Sequence, residues 1–461
     1  MTPSIAGHAM PQKKAMIGLQ LRCGVSSMTS LDMKADLNNP PAPSLLDAFN
    51  IWLKVGLLSF GGPTAQIALM HRIIVDEKSW LTERQYLNAL SFCMLLPGPE
   101  AMQLATYTGW RLHGVIGGLM AGLLFVIPGA FVVLSFAAIY GLYGDVPLVT
   151  ALFLGVKACV LVIVIEALHR IAKKVLHLPE HWIIAALAFV GIFFLDLPFP
   201  LIIITAALFG FLRSAKLEEH EKKHEPIKRT LFATLMTIFI WLLVWLAPLV
   251  VLHIFAENSI LNEIGVFFSK LAVVTFGGAY AVLAYMSQDV VTHFGWLSAG
   301  EMMDGLGLAE TTPGPLILVT EFVGFLAAFR EGGIGLGLIG ALLTLWVTFS
   351  PCFLWIFAGA PYIDWIGAQP RLRGALAGIA AAVVGVILNL SIWFGLHVFF
   401  SEVNPQKVGP IKLWIPELSS LDWRVILLSS ICGLLIFKFH WGLSRVLLTA
   451  SIGGVGLIWL S

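Results

Sequence analysis

Apolar residues run in long, nearly unbroken blocks. Gly114–Tyr140, Val146–Ala167, Leu231–Val251 and Leu372–Phe400 each reach or exceed the roughly 20 residues a helix needs to cross a hydrocarbon core of about 30 Å. Apolar and polar positions do not alternate over short segments, which argues against a barrel, and backbone in lipid must then satisfy itself within helices. The pattern predicts an all-α polytopic membrane protein with about 13 transmembrane helices. Helix one starts near Leu45 and is interrupted at Phe60-Gly61-Gly62-Pro63. Helix two, from Glu83, is interrupted at Pro97-Gly98-Pro99. Helices three (Gly114–Leu142) and four (Val146–Ile171) follow, then a pair, His181–Leu195 and Phe199–Leu212, turned by Asp196-Leu197-Pro198. Helix seven (Leu231–Val251) leads to two more broken helices, then Gly333–Phe357, Leu372–Phe400 and a last pair, Val425–Phe437 and Trp441–Leu460.

The breaks occur twice. Lys54, Phe60-Gly61-Gly62, Trp80-Leu81 and Pro97-Gly98-Pro99 return as Lys270, Phe276-Gly277-Gly278, Trp296-Leu297 and Pro313-Gly314-Pro315, each displaced by 216 positions without a gap. Between Ile51–Pro99 and Phe267–Pro315, 14 of 49 positions are identical. The chain is therefore a fused duplication, divided as a tail 1–43, a first transporter half 44–212, a charged linker 213–229 and a second half 230–461.

Composition agrees with the pattern: 58% of residues are hydrophobic and 12% charged, outside the range of a soluble globule. The net charge of +1 offers nothing to nucleic acid. The tail has no apolar core of signal-peptide length and reads as disordered. The linker, Arg213–Arg229, reads as a solvated cytoplasmic connection. The basic clusters Arg170-Lys173-Lys174, Arg213–Arg229, Arg371 with Arg373, and Lys438 with Arg445 fall on one side of a thirteen-crossing model, which places the N-terminus in the cytoplasm. Seven crossings then separate the copies, which puts them in opposite orientations as an inverted-topology repeat. Five cysteines without a CxxC spacing suggest free thiols, and neither a metal site nor a cofactor is expected.

Lys54 and Lys270 stand inside apolar segments, about two turns before the breaks. An intramembrane ammonium costs roughly 2.5–3.5 kcal/mol on insertion scales, so it needs a partner or a task. Snorkelling to headgroups is the alternative, although it does not explain the same lysine at the same offset in both copies. Where a helix restarts inside the membrane, free N–H groups and the positive dipole end face the gap. Gly61, Gly62, Gly277, Gly278, Pro97, Gly98, Pro99, Pro313, Gly314 and Pro315 thus frame candidate anion donors. Glu100, Glu310, Glu321, Asp289 and Asp304 are candidates for a coupling proton, the last two standing where the first copy has Ile73 and Asn88, and Arg111 is a candidate for gating, against ordinary charge pairing or surface anchoring. Gly335-Leu336-Gly337-Leu338-Ile339-Gly340 matches a dinucleotide fingerprint, but no strand precedes it and it reads as helix packing.

The order Phe60-Gly61-Gly62-Pro63, Lys78-Ser79-Trp80-Leu81, Leu96-Pro97-Gly98-Pro99 and a glycine-rich helix with Ile127-Pro128, repeated in the second half, resembles the chromate ion transporter family in its long, two-domain form. The resemblance spans about Leu45 to the C-terminus. It implies oppositely oriented halves and export of chromate across the cell (inner) membrane as resistance, with sulfate as a structural analogue. Sulfate or other oxyanion transport, inward included, is the alternative. Two departures mark the copies as unequal: Ala279 replaces the proline of the first break, and Met94 stands where the second copy has Glu310. An enzyme is not expected, since no redox-cofactor motif is present. The expected partners are the anion and membrane lipid, with homodimerisation left open.

Overall fold

The computed structural model describes residues 43–144, 146–214, 231–276, 279–367, 369–409 and 411–460. The expected tail, nearly all of the linker, and Gly277 and Gly278 lie outside the described residues. In chain order the helices are α1 (Leu45–Leu58), α2 (Gly62–His71), α3 (Glu83–Cys93), α4 (Glu100–Tyr143), α5 (Pro147–Val175), α6 (Pro179–Phe193), α7 (Phe199–Ser214), α8 (Leu231–Phe255), α9 (Ile260–Val274), α10 (Ala279–Gln288), α11 (Ala299–Thr311), α12 (Val319–Gly359), α13 (Ile363–Gly367), α14 (Pro370–Phe399), α15 (Trp423–Gly433) and α16 (Leu443–Leu460). A small antiparallel hairpin, β1 (Val403–Val408) with β2 (Ile411–Pro416), joins α14 to α15. Among the described residues, five helical stretches are long and apolar enough to cross a membrane: Glu100–Tyr143, Pro147–Val175, Phe232–Phe255, Leu316–Tyr362 and Pro370–Phe399. Large apolar side chains such as Ile116, Phe131, Leu187 and Phe232 are exposed on the outside of the bundle, where lipid would meet them.

The duplication is reproduced down to its turns. α2 and α10 each end in a π-helical turn, Arg72–Glu77 and Asp289–His293. A residue with left-handed φ follows in each copy, Ser79 and Gly295, and then a tryptophan whose N–H donates back to the turn, Trp80 to Ile74 at 2.8 Å and Trp296 to Val290 at 3.0 Å. α3 and α11 then open on matching capping boxes, Thr82 with Gln85 and Ser298 with Glu301, which satisfy first-turn amides that would otherwise lack partners.

The breaks turn the chain back. Trp52 and Trp80 lie 6.3 Å apart between ring centroids. Had α1 and α2 continued in one line, the backbone at Ile74 that holds Trp80 would stand about 30 Å from Trp52 at 1.5 Å per residue. Phe268, 216 positions after Trp52, repeats the contact with Trp296 at 6.4 Å. Gly61 and Gly62 supply the reversal with φ of +85° and +76°, a region closed to most residues with a side chain. Across the second break, Phe92 meets Tyr107 at 6.3 Å. The chain reverses at these breaks, which form the tips of hairpins.

α4 is itself a hairpin. His113 and Gly114 leave helical geometry, and the arms 100–112 and 115–143 fold together so that Gly109 backs onto Gly117 with no room for a β-carbon on either. Gly332 and Gly333 do the same in α12, where Gly324 backs onto Gly340. The two long arms pack antiparallel. Gly118 faces Phe357 and Gly122 faces Phe353, while the far end of the α4 arm, at Gly141, meets Phe325 and Phe329 of the short arm of α12.

Candidate substrate site at the crossed helix breaks

The hairpin tips of the two copies meet and exchange backbone hydrogen bonds. The Gly98 N–H donates to the Thr275 carbonyl at 2.8 Å, and the Gly314 N–H donates to the Ser59 carbonyl at 2.8 Å. Gly98 and Gly314 differ by the repeat interval, as do Ser59 and Thr275. Each copy thus gives the other the same bond, the signature of a two-fold relation. Left-handed φ of +123° at Gly98 and +95° at Gly314 aims these amides. Gly129, in the long arm of α4, is packed against the Pro313 carbonyl so closely that only glycine fits.

Two glutamines bind the crossings. Gln66 Nε2 donates to Gly314 O at 2.6 Å and to Ser59 O at 3.2 Å, joining the copies a second time. Gln103 Nε2 donates to Pro97 O at 2.7 Å. Both side chains are buried, and the Oε1 atom of each is without a hydrogen-bond partner among the described residues. Neither glutamine is repeated, as Val282 stands 216 positions after Gln66 and Val319 after Gln103.

The candidates named from sequence fall into distinct places. Lys54 and Lys270 lie on exposed faces of α1 and α9, with no ion pair among the described residues. Each shares its face with an acid two turns earlier, Asp47 and Glu263, again in register. Gly61 is exposed and Gly62 half-buried, so the α2 N-terminus is open. Pro97, Gly98, Pro313, Gly314 and Pro315 are buried, and Pro99 precedes a half-buried Glu100 in the first turn of α4. The Gly98 and Gly314 amides are engaged in the crossings. After Pro315 comes a buried 3-10 turn, Leu316–Leu318, absent from the first copy.

The acids separate as well. Glu310 is buried beside the second break and accepts from the Tyr280 hydroxyl at 2.8 Å. Glu321 is 0% exposed, and neither carboxyl oxygen has a hydrogen-bond partner among the described residues. Asp289 lies elsewhere, lining a cavity of about 370 Å³ with Asp196, Gln288, Asn389 and Lys412. Arg111 is exposed next to the α4 turn.

Gln66, Gln103 and Tyr280 were missed in the sequence because a lone amide or phenol in an apolar helix carries no spacing signal. The paired acids Asp47 and Glu263 were legible, being in register with the lysines. Among the described residues no cluster of metal-ligating side chains occurs, and Cys93, Cys159, Cys352 and Cys432 are free and buried.

Comparison with known proteins agrees with this duplicated architecture. The family model for chromate transporters matches twice, over residues 46–211 and 262–457. The chain is 33% identical over 417 residues to the chromate transport protein of Pseudomonas aeruginosa, covering 86% of this chain and 94% of that one. It is 30% identical over 413 residues to a probable chromate transport protein of Synechococcus elongatus, covering 88% and 99%. A chromate transport protein of Cupriavidus metallidurans is 28% identical over 365 residues, covering 77% and 84%. No solved structure matches the chain significantly. With both halves matched and its long apolar helices on the page, the chain is an integral membrane protein and belongs to the chromate transporter family.

Proposed function

We propose that the protein is a secondary transporter that exports chromate from the cytoplasm, and so confers chromate resistance, by alternating access at the crossed breaks. The observation that carries this is the reciprocal exchange of backbone bonds between the two copies. It gives two half-helix systems a shared centre that can be exposed to either face in turn. Among the described residues, the passes between the copies are the 115–143 arm, α5, α6, α7 and α8. Their number is odd, which supports an inverted-topology repeat with four re-entrant hairpins in place of the thirteen-crossing count. Arg170, Lys173, Lys174, Arg371, Arg373, Lys438 and Arg445 fall at one end of this arrangement, taken as cytoplasmic together with the N-terminus in the cell (inner) membrane. Cysteine labelling at Asp76–Ser79 and Thr292–Gly295 should reach the two loops from opposite faces; labelling of both from one side would sink the inverted repeat.

Lys54 and Lys270 serve as the cations that draw the dianion along the exposed faces of α1 and α9 toward the tips. The open α2 N-terminus at Gly61 and Gly62 supplies amide donors. With the cell interior negative, outward movement of a charge of two gains about 4.6 kcal/mol per 100 mV, twice the single-charge value. Export can thus draw on the membrane potential directly. The test is chromate accumulation in everted membrane vesicles, for wild type, Lys54→Ala and Lys270→Ala at equal expression, with and without excess sulfate. Loss in either variant supports the paired lysines, and full transport by both returns them to headgroup anchoring. No accumulation by the wild type overturns chromate export, and transport of sulfate alone would reassign the substrate.

A further inference from the structure

Away from the crossed breaks, a second polar group ties the two copies together. Asp304, in the middle of α11, is 2% exposed. Its Oδ2 accepts from the Tyr140 hydroxyl at 2.7 Å and faces Lys157 Nζ at 3.5 Å. Tyr140 belongs to α4 and Lys157 to α5, both in the first copy, so the ion pair spans the halves. The other carboxyl oxygen, Oδ1, is buried without a partner among the described residues. The same residue lines a cavity of about 380 Å³ with Tyr140, Thr150, Lys157, Ser298 and Glu301. The remaining charges around the group are Glu301 on α11 itself and Arg330 on α12. Those two are paired with each other, and Arg330 also donates to the Trp296 carbonyl. Nothing in the first copy repeats the acid, since Asn88 stands at its position.

We propose that Asp304, with Lys157 and Tyr140, is a proton-binding site loaded from this cavity, and that its protonation unties the two halves. A proton from cavity water adds to the free Oδ1. The carboxylate becomes a neutral acid, no electrons are transferred, and Lys157 keeps its charge while losing its partner. The ammonium, whose side chain is already 28% exposed, then turns into the cavity. Deprotonation restores the pair and the tie. Three features fit a loaded site better than a static pair: an unused oxygen, a cavity lined by the same residue, and partners on the opposite half. In a pair held only for stability, a bare buried carboxyl oxygen costs its desolvation without a hydrogen bond in return.

The site's role in a transport cycle rests on the transporter reading; its titration does not. Infrared difference spectra of the purified full-length protein between about pH 5 and about pH 9 should contain a protonated-carboxyl C=O band that Asp304→Asn removes. In proteoliposomes, wild-type anion transport should change by up to about tenfold per pH unit where one proton is required, and Asp304→Asn should flatten that profile. Tyr140→Phe guards against misfolding of the first variant. It keeps the ring contacts with Phe153 and Phe322 at 5.1 and 5.3 Å and should displace the band's midpoint by about one pH unit. Spectra identical in wild type and both variants overturn the site. A band that is lost while the pH profile persists in Asp304→Asn overturns the untying of the halves. If the wild type moves neither chromate nor sulfate, the transport reading fails by itself, and the band still decides whether Asp304 binds a proton.

Discussion

Replacing Gln66 by leucine tests the crossing of the two copies at its most exacting point. Gln66 is 1% exposed and its Nε2 is shared between Gly314 O at 2.6 Å and Ser59 O at 3.2 Å. Leucine fills a similar volume and removes both donations. Ser59 O retains the Gly314 N–H at 2.8 Å, so its loss is small. Gly314 O is left without this donor in the interior, a cost of about 1–3 kcal/mol. Against this, the variant removes Oε1, which has no partner in the wild type and whose burial is itself unfavourable. The net loss should be about 1–2 kcal/mol, enough to lower Tm by a few degrees in detergent. Transport should fall further than stability, because the lost bonds set the relative position of the tips. Gln66→Glu should be worse than Gln66→Leu, since it brings a third acceptor against two carbonyls. Thermal unfolding followed by size-exclusion fluorescence, with chromate transport in vesicles, reads both effects. Wild-type Tm and transport in Gln66→Leu would refute the crossing as drawn.

Gly129→Ala should abolish transport, because a β-carbon would collide with the Pro313 carbonyl and lie 2.7 Å from Leu318 Cδ1. Gly335→Ala, in the long arm of α12 with nothing within 4 Å, should be silent in the same vesicle assay. Glu310→Gln, nearly isosteric, should keep the protein folded yet lower transport by about tenfold if the acid acts in the cycle; unchanged transport would leave Glu310 a packing residue for Tyr280. At the entry to α15, burial draws the Asp422 carboxyl up, but the hydrogen bonds from the Arg424 side chain and backbone outweigh it and hold the pKa below its usual value. Its contribution is therefore complete above the ordinary aspartate range of about 4 and is lost as pH falls through the lowered value. Asp422→Asn should remove that acid limb from a plot of Tm against pH.

The helical class and the duplication were legible because each is written in many residues at once: long apolar blocks for the class, and register across 49 positions for the repeat. The breaks were legible too, since Gly61-Gly62 and Pro97-Gly98-Pro99 deny the helix its ladder. What they do was not. A break looks the same in sequence whether the chain continues beyond it or turns back, and the choice is made by contacts such as Trp52 with Trp80. The turns inside α4 and α12 were legible as helix boundaries, because Gly114 and Gly333 open new apolar blocks after Arg111 and Arg330; that the arms on either side fold together was not. Lys157 was the most accessible omission, a lone cation in Val146–Ala167. Its meaning depends on Asp304, 147 positions away in the other copy.

The two copies share a backbone and divide the chemistry. The first contributes amides at the centre, Gln66 and Gln103, where the second has valines. The second contributes the buried acids Asp304, Glu310 and Glu321, at the first two of which the first has Asn88 and Met94. Reciprocal bonds between Gly98 and Thr275 and between Gly314 and Ser59 need only the common backbone, so the pseudo-symmetric crossing survives this divergence. A symmetric frame gives the transporter two related states to move between. If the crossed breaks carry the anion as proposed, unequal side chains let one half hold neutral donors there while the other supplies the buried acids. On this reading, moving Gln66 into the second copy as Val282→Gln should not rescue Gln66→Leu, although the backbone positions are equivalent. The donor would then face the Gly98 side of the crossing, where Gln103 already holds Pro97, and Gly314 O would still lack the donor that Gln66→Leu removes. Rescue of transport by the double variant would show that the halves are interchangeable at their centre, and the division of labour would fall.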